Sequence, residues 1–129
     1  MWCGPDAVAR LTGWTRIQVW LHIRWLRERQ GRTLTDVPRG GTNCTELFSA
    51  LDRAGFAAVP WGLGVRRMDY RVFARTVGRS GRWLVLQRKH FDVHDAREPW
   101  PDPPGGGRHA AIIKAWHVRR KASSTEGKP

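Results

Sequence analysis

Apolar positions recur with helical spacing over the first half of the chain and with strand spacing over the second. Residues 5–12 predict a short helix that Gly13 can stop. Thr15 suits the N-cap of a second helix reaching about Arg29. Its apolar residues, Ile17, Val19, Trp20, Leu21, Ile23, Trp25 and Leu26, cover nearly two faces. That predicts a central helix with Arg16, Arg24, Arg27, Glu28 and Arg29 at its edge. Residues 30–41 read as a loop. A third helix opens at residues 42–47, where Asn43 and Glu46 have capping-box spacing. Leu47, Phe48, Leu51 and Ala54 form its stripe, and Gly55 ends it. Residues 56–59 predict a short strand stopped by Pro60, and residues 61–67 a loop. Asp69 then caps a fourth helix with Tyr70, Phe73 and Val77 on one face. Residues 78–81 make a turn.

From there the pattern is β. Residues 82–87 have high β propensity, and His90-Phe91-Asp92-Val93-His94-Asp95 alternates as a second strand. Residues 99–107, rich in Pro and Gly, read as a loop, and residues 110–118 as a third strand. No internal repeat is present. Helices first and a small antiparallel sheet afterwards predict a single α+β domain over residues 1–118. Residues 119–129 read as a basic, polar, disordered tail.

Composition sharpens this picture in two ways. At 129 residues and 40% apolar, with eight Trp, the chain can bury a modest core and is not wholly disordered. No apolar stretch is long enough to span a membrane, and no signal peptide is visible. Cys3 and Cys44 form no disulfide framework, although a bridge between them stays open, so the expected setting is the reducing cytoplasm. The second point is charge: 23 Lys and Arg stand against 11 Asp and Glu, a net +12, and nineteen of the 23 are Arg. A GC-rich genome produces such a bias without any function. The guanidinium fork nevertheless matches phosphate, so the chain is biased towards acidic partners, nucleic acid among them, without a defined groove.

The candidate chemistry lies at the start. Cys3-Gly4-Pro5 puts a thiol at the mouth of a helix. Pro suits a first turn because its missing N–H would have no partner there. A helix N-terminus stabilises a thiolate, which is the nucleophilic form. The plainer reading is a small buried hydrophobe near a terminus. His90, Asp92 and His94 fall on one face of a strand with Asp95 nearby, which resembles a metal cluster; the plainer reading is a polar edge-strand face. Cys44 has no zinc spacing with His22 or His109 and reads as a helix-start residue packed on the core. Trp20, Trp25, Trp83 and Trp116 fit the apolar pattern of a core, whereas Trp14, Trp61 and Trp100 sit in loops where they could line a cleft. No cofactor or metal is called for.

The order of these pieces resembles a papain-like cysteine peptidase domain, of the compact kind seen in bacteriocin-processing (C39-like) peptidases and small phage proteins. The resemblance covers about residues 2–118 and rests on four pieces. Cys3-Gly4-Pro5 opens a helix closing at Leu11-Thr12-Gly13. Gly41-Thr42 precedes Glu46-Leu47, Ala50-Leu51 and Ala54-Gly55-Phe56. A β run over residues 83–88 leads into Lys89-His90. A last strand ends Ala115-Trp116-His117-Val118. The resemblance implies Cys3 as nucleophile, His90 as base and Asp102, from beyond the His strand, as the group orienting the His. Asp95 is the alternative orienter, but an unbroken strand would carry it roughly 16 Å from His90 at ~3.3 Å per residue. Asp92 could touch His90 only from the side.

A thiol of pKa ~8.5 is mostly protonated at neutral pH, and a neighbouring imidazole activates it as an ion pair. The implied function is a small intracellular thiol hydrolase acting on polypeptide. The chain departs from the family in three places. No Gln precedes Cys3 to supply an oxyanion donor, Lys89 stands where the family usually has Gly, and Asp102 lies in a Pro-rich loop. Loss of one oxyanion donor typically costs on the order of 100-fold in rate. The alternative function is a catalytically inactive basic protein that uses this fold to bind nucleic acid or an acidic protein partner.

Overall fold

The computed structural model describes residues 2–38, 41–61, 68–88, 90–97 and 111–121. Helix α1 (Cys3–Thr12) begins two residues earlier than the pattern implies, with Cys3 inside its first turn. Pro5 is tolerated there because none of the first N–H groups of a helix has an intrahelical partner. Gly13 ends α1 in the left-handed region at φ 82, where its N–H closes back on the Ala9 carbonyl.

Helix α2 (Arg16–Arg29) starts at a reciprocal capping box between Thr15 and Gln18. It is not central. α2 packs on α1 and on α3 (Cys44–Arg53). Val19, Trp20, Ile23 and Arg27 are its buried side, while Ile17, Leu21 and Trp25 are 51%, 53% and 48% exposed. Two apolar faces had implied cover on both, but helices meet only one of them. Arg27, expected at the edge, is buried because Glu46 of α3 takes its guanidinium in two hydrogen bonds of 2.7 and 3.0 Å.

The sheet order is β1-β6-β3-β4, antiparallel throughout, from β1 (Phe56–Pro60), β3 (Arg82–Gln87), β4 (His90–Asp95) and β6 (Lys114–Arg120). A separate pair joins β2 (Met68–Asp69) to β5 (Ala111–Ile112), and α4 (Tyr70–Val77) follows β2. The expected last strand is thus divided. Ile113 donates to the Leu86 carbonyl between two segments that pair with different partners. β6 continues to Arg120, whose partner is Phe56, so the first two residues assigned to the tail are strand; residues 122–129 lie outside the described residues.

Side chains alternate across this sheet. Leu84, Phe91, Val93, Trp116 and Val118 meet α1–α3 on one face in the larger core. Trp83, Val85 and Ala115 meet Tyr70, Phe73 and Val77 of α4 on the other. Covered on both faces, β3 loses the polar alternation of a half-exposed strand. The expected α+β architecture of N-terminal helices on a C-terminal antiparallel sheet is what the chain forms, with α4 and the β2–β5 pair added on the second face. Among the described residues no helix is long and apolar enough to cross a membrane.

Candidate functional site

Cys3 is the first residue of α1, half-buried and free of any disulfide. No side chain caps this helix at Trp2, and Pro5 has no N–H. Asp6 N–H bonds the Trp2 carbonyl at 2.8 Å. The amides of Cys3 and Gly4 are therefore the donors left at the helix start, where the helix dipole favours negative charge. Asp6, whose carboxylate would oppose a thiolate, is held by Arg16 through hydrogen bonds of 2.8 and 2.7 Å. The same guanidinium lies 4.3 Å over the Trp2 ring, which meets Trp20 edge-on.

Gly4 is buried against the second piece of the resemblance. A β-carbon there would meet the Thr42 hydroxyl and the Leu47 methyls. Cys44, the first residue of α3, is close by in sequence. Burial pushes its thiol pKa up, against the opposing pull of the Lys114 charge. Lys114 pairs in the sheet with Leu86, and Leu86 with Phe91, the residue after His90. At the opposite end of α1, the Arg10 and Leu11 carbonyls accept from Arg82, the register partner of Asp95. α1 thus runs in the direction of β4, with its start at the end of the sheet that His90 opens.

His90 is partly exposed, and its Nε2 lies 3.3 Å from Asp92 Oδ2. Its Nδ1 makes no hydrogen bond among the described residues. Asp92 Oδ1 accepts from Arg10 at 3.1 Å and from the Val93 N–H at 2.7 Å, which fixes the carboxylate. Such a carboxylate, accepting from Nε2–H, leaves Nδ1 as the proton acceptor of the ring. Of the two candidate orienters among the described residues, Asp92 and Asp95, Asp92 is the one touching His90. Asp95 sits at the far end of β4, engaged by Arg97 at 2.8 Å and Arg82 at 3.6 Å. The Arg97 hydrogen bonds hold its carboxyl below the usual range. Asp102 and Lys89 lie outside the described residues.

No hydrogen bond joins Cys3 to His90 among the described residues. By strand alternation His90 and Asp92 belong to the α4 face, whereas α1 covers the other face. β4 is an edge strand, and the long Arg10 side chain of α1 reaches Asp92 around it. Catalytic hydrogen bonds are often long without substrate and tighten in the complex.

The remaining candidates fall elsewhere. His94 is buried and bonded through Nδ1 to the Tyr70 hydroxyl at 2.7 Å, and Asp92 is committed to Arg10, so His90, Asp92 and His94 do not converge on a metal position. Trp20 and Trp83 are buried, each donating its indole N–H to a backbone carbonyl, of Asp36 and Ser80. Trp116 packs edge-on with Phe48. Trp25 is not core: it is solvent-facing, with Arg29 at 4.7 Å over the ring and His22 stacked on it. Trp14 and Trp61, expected to line a cleft if exposed, are half-buried against the two cores; Trp100 lies outside the described residues.

Two pairings escaped the sequence reading. Tyr70–His94 joins residues far apart in the chain. Arg27–Glu46 joins two helices, and its only local signal was that Glu46 already served the Asn43 cap. Comparison with protein-family models, with curated proteins and with solved structures returns no match.

Proposed function

We propose that the chain is a thiol hydrolase acting on polypeptide by acyl transfer, with Cys3 as nucleophile, His90 as base and Asp92 as the carboxylate that orients His90. One observation carries this reading: a free thiol at an uncapped helix start shares one end of the fold with a carboxylate-bound imidazole whose Nδ1 makes no hydrogen bond among the described residues. In the first step His90 takes the thiol proton and the sulfur attacks a substrate carbonyl carbon. The carbonyl oxygen gathers negative charge at the N–H groups of Cys3 and Gly4. The C–N bond then breaks, the amine leaves with the proton from His90, and a thioester remains on Cys3. Water, deprotonated by His90, attacks that thioester, releases the carboxylic acid and restores the thiol. A half-buried helix start and an imidazole held by a carboxylate suit such chemistry, and two reduced cysteines suit a cytoplasmic setting.

The test is the rate of Cys3 alkylation by iodoacetamide against pH, read by mass spectrometry in the native protein and in His90→Ala. Support is a fast reaction near neutral pH that slows at least several-fold in His90→Ala, with a smaller slowing in Asp92→Asn. Equal rates in the native and His90→Ala proteins at every pH refute the dyad.

A further inference from the structure

The second face of the sheet carries a group of exposed arginines. Arg71 and Arg75 stand one turn apart on the exposed side of α4, and Arg79 follows in the exposed turn after Gly78. Arg119 is exposed near the end of β6 and alternates onto the same face as His117, whose pKa its charge helps to lower. Arg82, three residues after Arg79, pairs with Val118, so the α4–β3 turn and Arg119 share one end of the sheet.

None of these four guanidinium groups meets a carboxylate among the described residues. The helical layer on the other face compensates part of its charge: Arg16, Arg27 and Arg32 are ion-paired within it and Arg10 with Asp92 of the edge strand, while Arg29, which lies over Trp25, and Arg53 meet no carboxylate among the described residues. The uncompensated charge on the α4 face is four arginines on α4, the turn after it and the neighbouring strand β6.

We propose that this row, Arg71, Arg75, Arg79 and Arg119, binds the phosphodiester backbone of a nucleic-acid strand. Successive turns of α4 set guanidinium groups about 6 Å apart along the helix at ~1.5 Å per residue. Phosphates of one strand of a duplex advance about 3.4 Å per nucleotide, so Arg71 and Arg75, one turn apart on α4, match every second phosphate, with Arg79 and Arg119 at the end of the sheet beside them. The planar fork pairs with two phosphate oxygens at once, which a lysine ammonium does not do. A lipid surface is the poorer fit. A helix lying on a bilayer turns its apolar side to the lipid, whereas Tyr70, Phe73 and Val77 of α4 are buried against the sheet. The row makes no base-edge contact by itself, so the binding is independent of sequence. This inference stands apart from the thiol chemistry and uses none of its residues.

Fluorescence anisotropy with labelled mixed-sequence DNA, as a duplex and as a single strand, tests it over a salt range of about 50–200 mM. Four phosphate contacts give a slope of log K on log salt of about −2.8 on single strands and −3.6 on duplex, a loss of roughly 50- to 150-fold across that range. The quadruple variant Arg71→Gln/Arg75→Gln/Arg79→Gln/Arg119→Gln flattens the slope by about that amount, whereas replacing all four by Lys retains most of it. Arg16→Gln/Arg29→Gln/Arg32→Gln/Arg53→Gln removes the same charge from the other layer and leaves the slope nearly unchanged. An equal loss in both Gln variants overturns the site in favour of net charge alone. No binding at about 50 mM salt overturns it outright. Tighter binding to phosphatidylserine vesicles than to either DNA identifies a lipid surface instead and also overturns it. Circular dichroism on each variant confirms that the fold is kept.

Discussion

Gly4 lies directly against Thr42: a β-carbon at position 4 would stand 2.1 Å from Thr42 Oγ1, with Leu47 Cδ2 3.1 Å away. This contact fixes the start of α1, and with it the Cys3 thiol, against the segment that leads into α3. Helix propensity alone would make Gly4→Ala stabilising by about 0.5–1 kcal/mol. Overpacking reverses the sign, and the expected loss is about 1–3 kcal/mol in urea unfolding. Thr42 Oγ1 is buried and has no hydrogen-bond partner among the described residues, so Thr42→Ala costs little by itself. In the Thr42→Ala background, Gly4→Ala then loses most of its penalty. If the two losses simply add, the contact is not what requires glycine here.

Arg27 and Glu46 are both almost fully buried, and two hydrogen bonds join them. Arg27 also donates to the Gly41 carbonyl at 3.0 Å, next to Thr42. Arg27→Ala leaves the buried Glu46 carboxylate to the Asn43 N–H and the partly exposed Arg32, and is expected to cost somewhat less than the ~3–5 kcal/mol of an uncompensated buried charge. Burial pushes the Glu46 carboxyl up, but the hydrogen bonds from Arg27 and from the Asn43 N–H, with the charges of Arg27 and Arg32, outweigh it and hold the pKa below the ordinary range. The pair's stabilisation is therefore fully present above the unfolded carboxyl pKa of about 4.3 and is lost as pH falls through the lower folded value. Urea titrations at about pH 7 and pH 3 read this directly. Glu46→Gln starts less stable and shows a smaller further loss on acidification; an unchanged loss contradicts the assignment.

What could be read from sequence was set by local forces. The Asn43–Glu46 box, Gly13 as a stop, Asp69 as a cap and the 82–87 and 90–95 strands each depend on residues a few places apart. α2 lies at the surface of the helical layer rather than at its centre; periodicity shows which faces are apolar but not how many of them find a partner. The same ambiguity put Trp25 in the core. At the site, the Cys3 helix start was legible because Gly4, Pro5 and Gly13 are local signals. The carboxylate touching His90 was not, because strand geometry admitted Asp92 only at the side of the ring. A half-exposed edge-strand side chain has room to turn along the strand and meet it.

Cys44 provides an internal contrast to Cys3. Its thiol pKa is raised chiefly by burial, and the Lys114 ammonium opposes that rise. Cys44 therefore holds less thiolate at a given pH than a free cysteine. At about pH 7.5, iodoacetamide labels Cys44 several-fold more slowly than a cysteine in an unstructured peptide. Lys114→Ala removes the opposing charge and slows the labelling further, while His90→Ala leaves it unchanged. Faster labelling of Cys44 in Lys114→Ala contradicts the electrostatic account.

His94 ties the α4 face of the sheet to acid stability. It is buried, its Nδ1 meets the Tyr70 hydroxyl, its Nε2 has no partner among the described residues, and Phe73 packs edge-on against the ring. Burial lowers its pKa and outweighs the opposing charge of Asp95. His22 and His117 are shifted the same way, by burial and then by Arg53 and Arg119. A histidine whose folded pKa is depressed takes up its proton first in the unfolded chain. Its effect is absent well above about pH 6.5 and grows as pH falls below that value, until the folded ring also protonates. Each such group lowers stability by up to about 1.4 kcal/mol per pH unit in that window. His94→Gln removes the Tyr70–imidazole pairing and is less stable at about pH 7.5, yet it loses less between about pH 7 and pH 5.5 than the native protein does. Urea unfolding across that interval is the measurement, and a loss as steep in His94→Gln as in the native chain would show that another group carries the acid sensitivity.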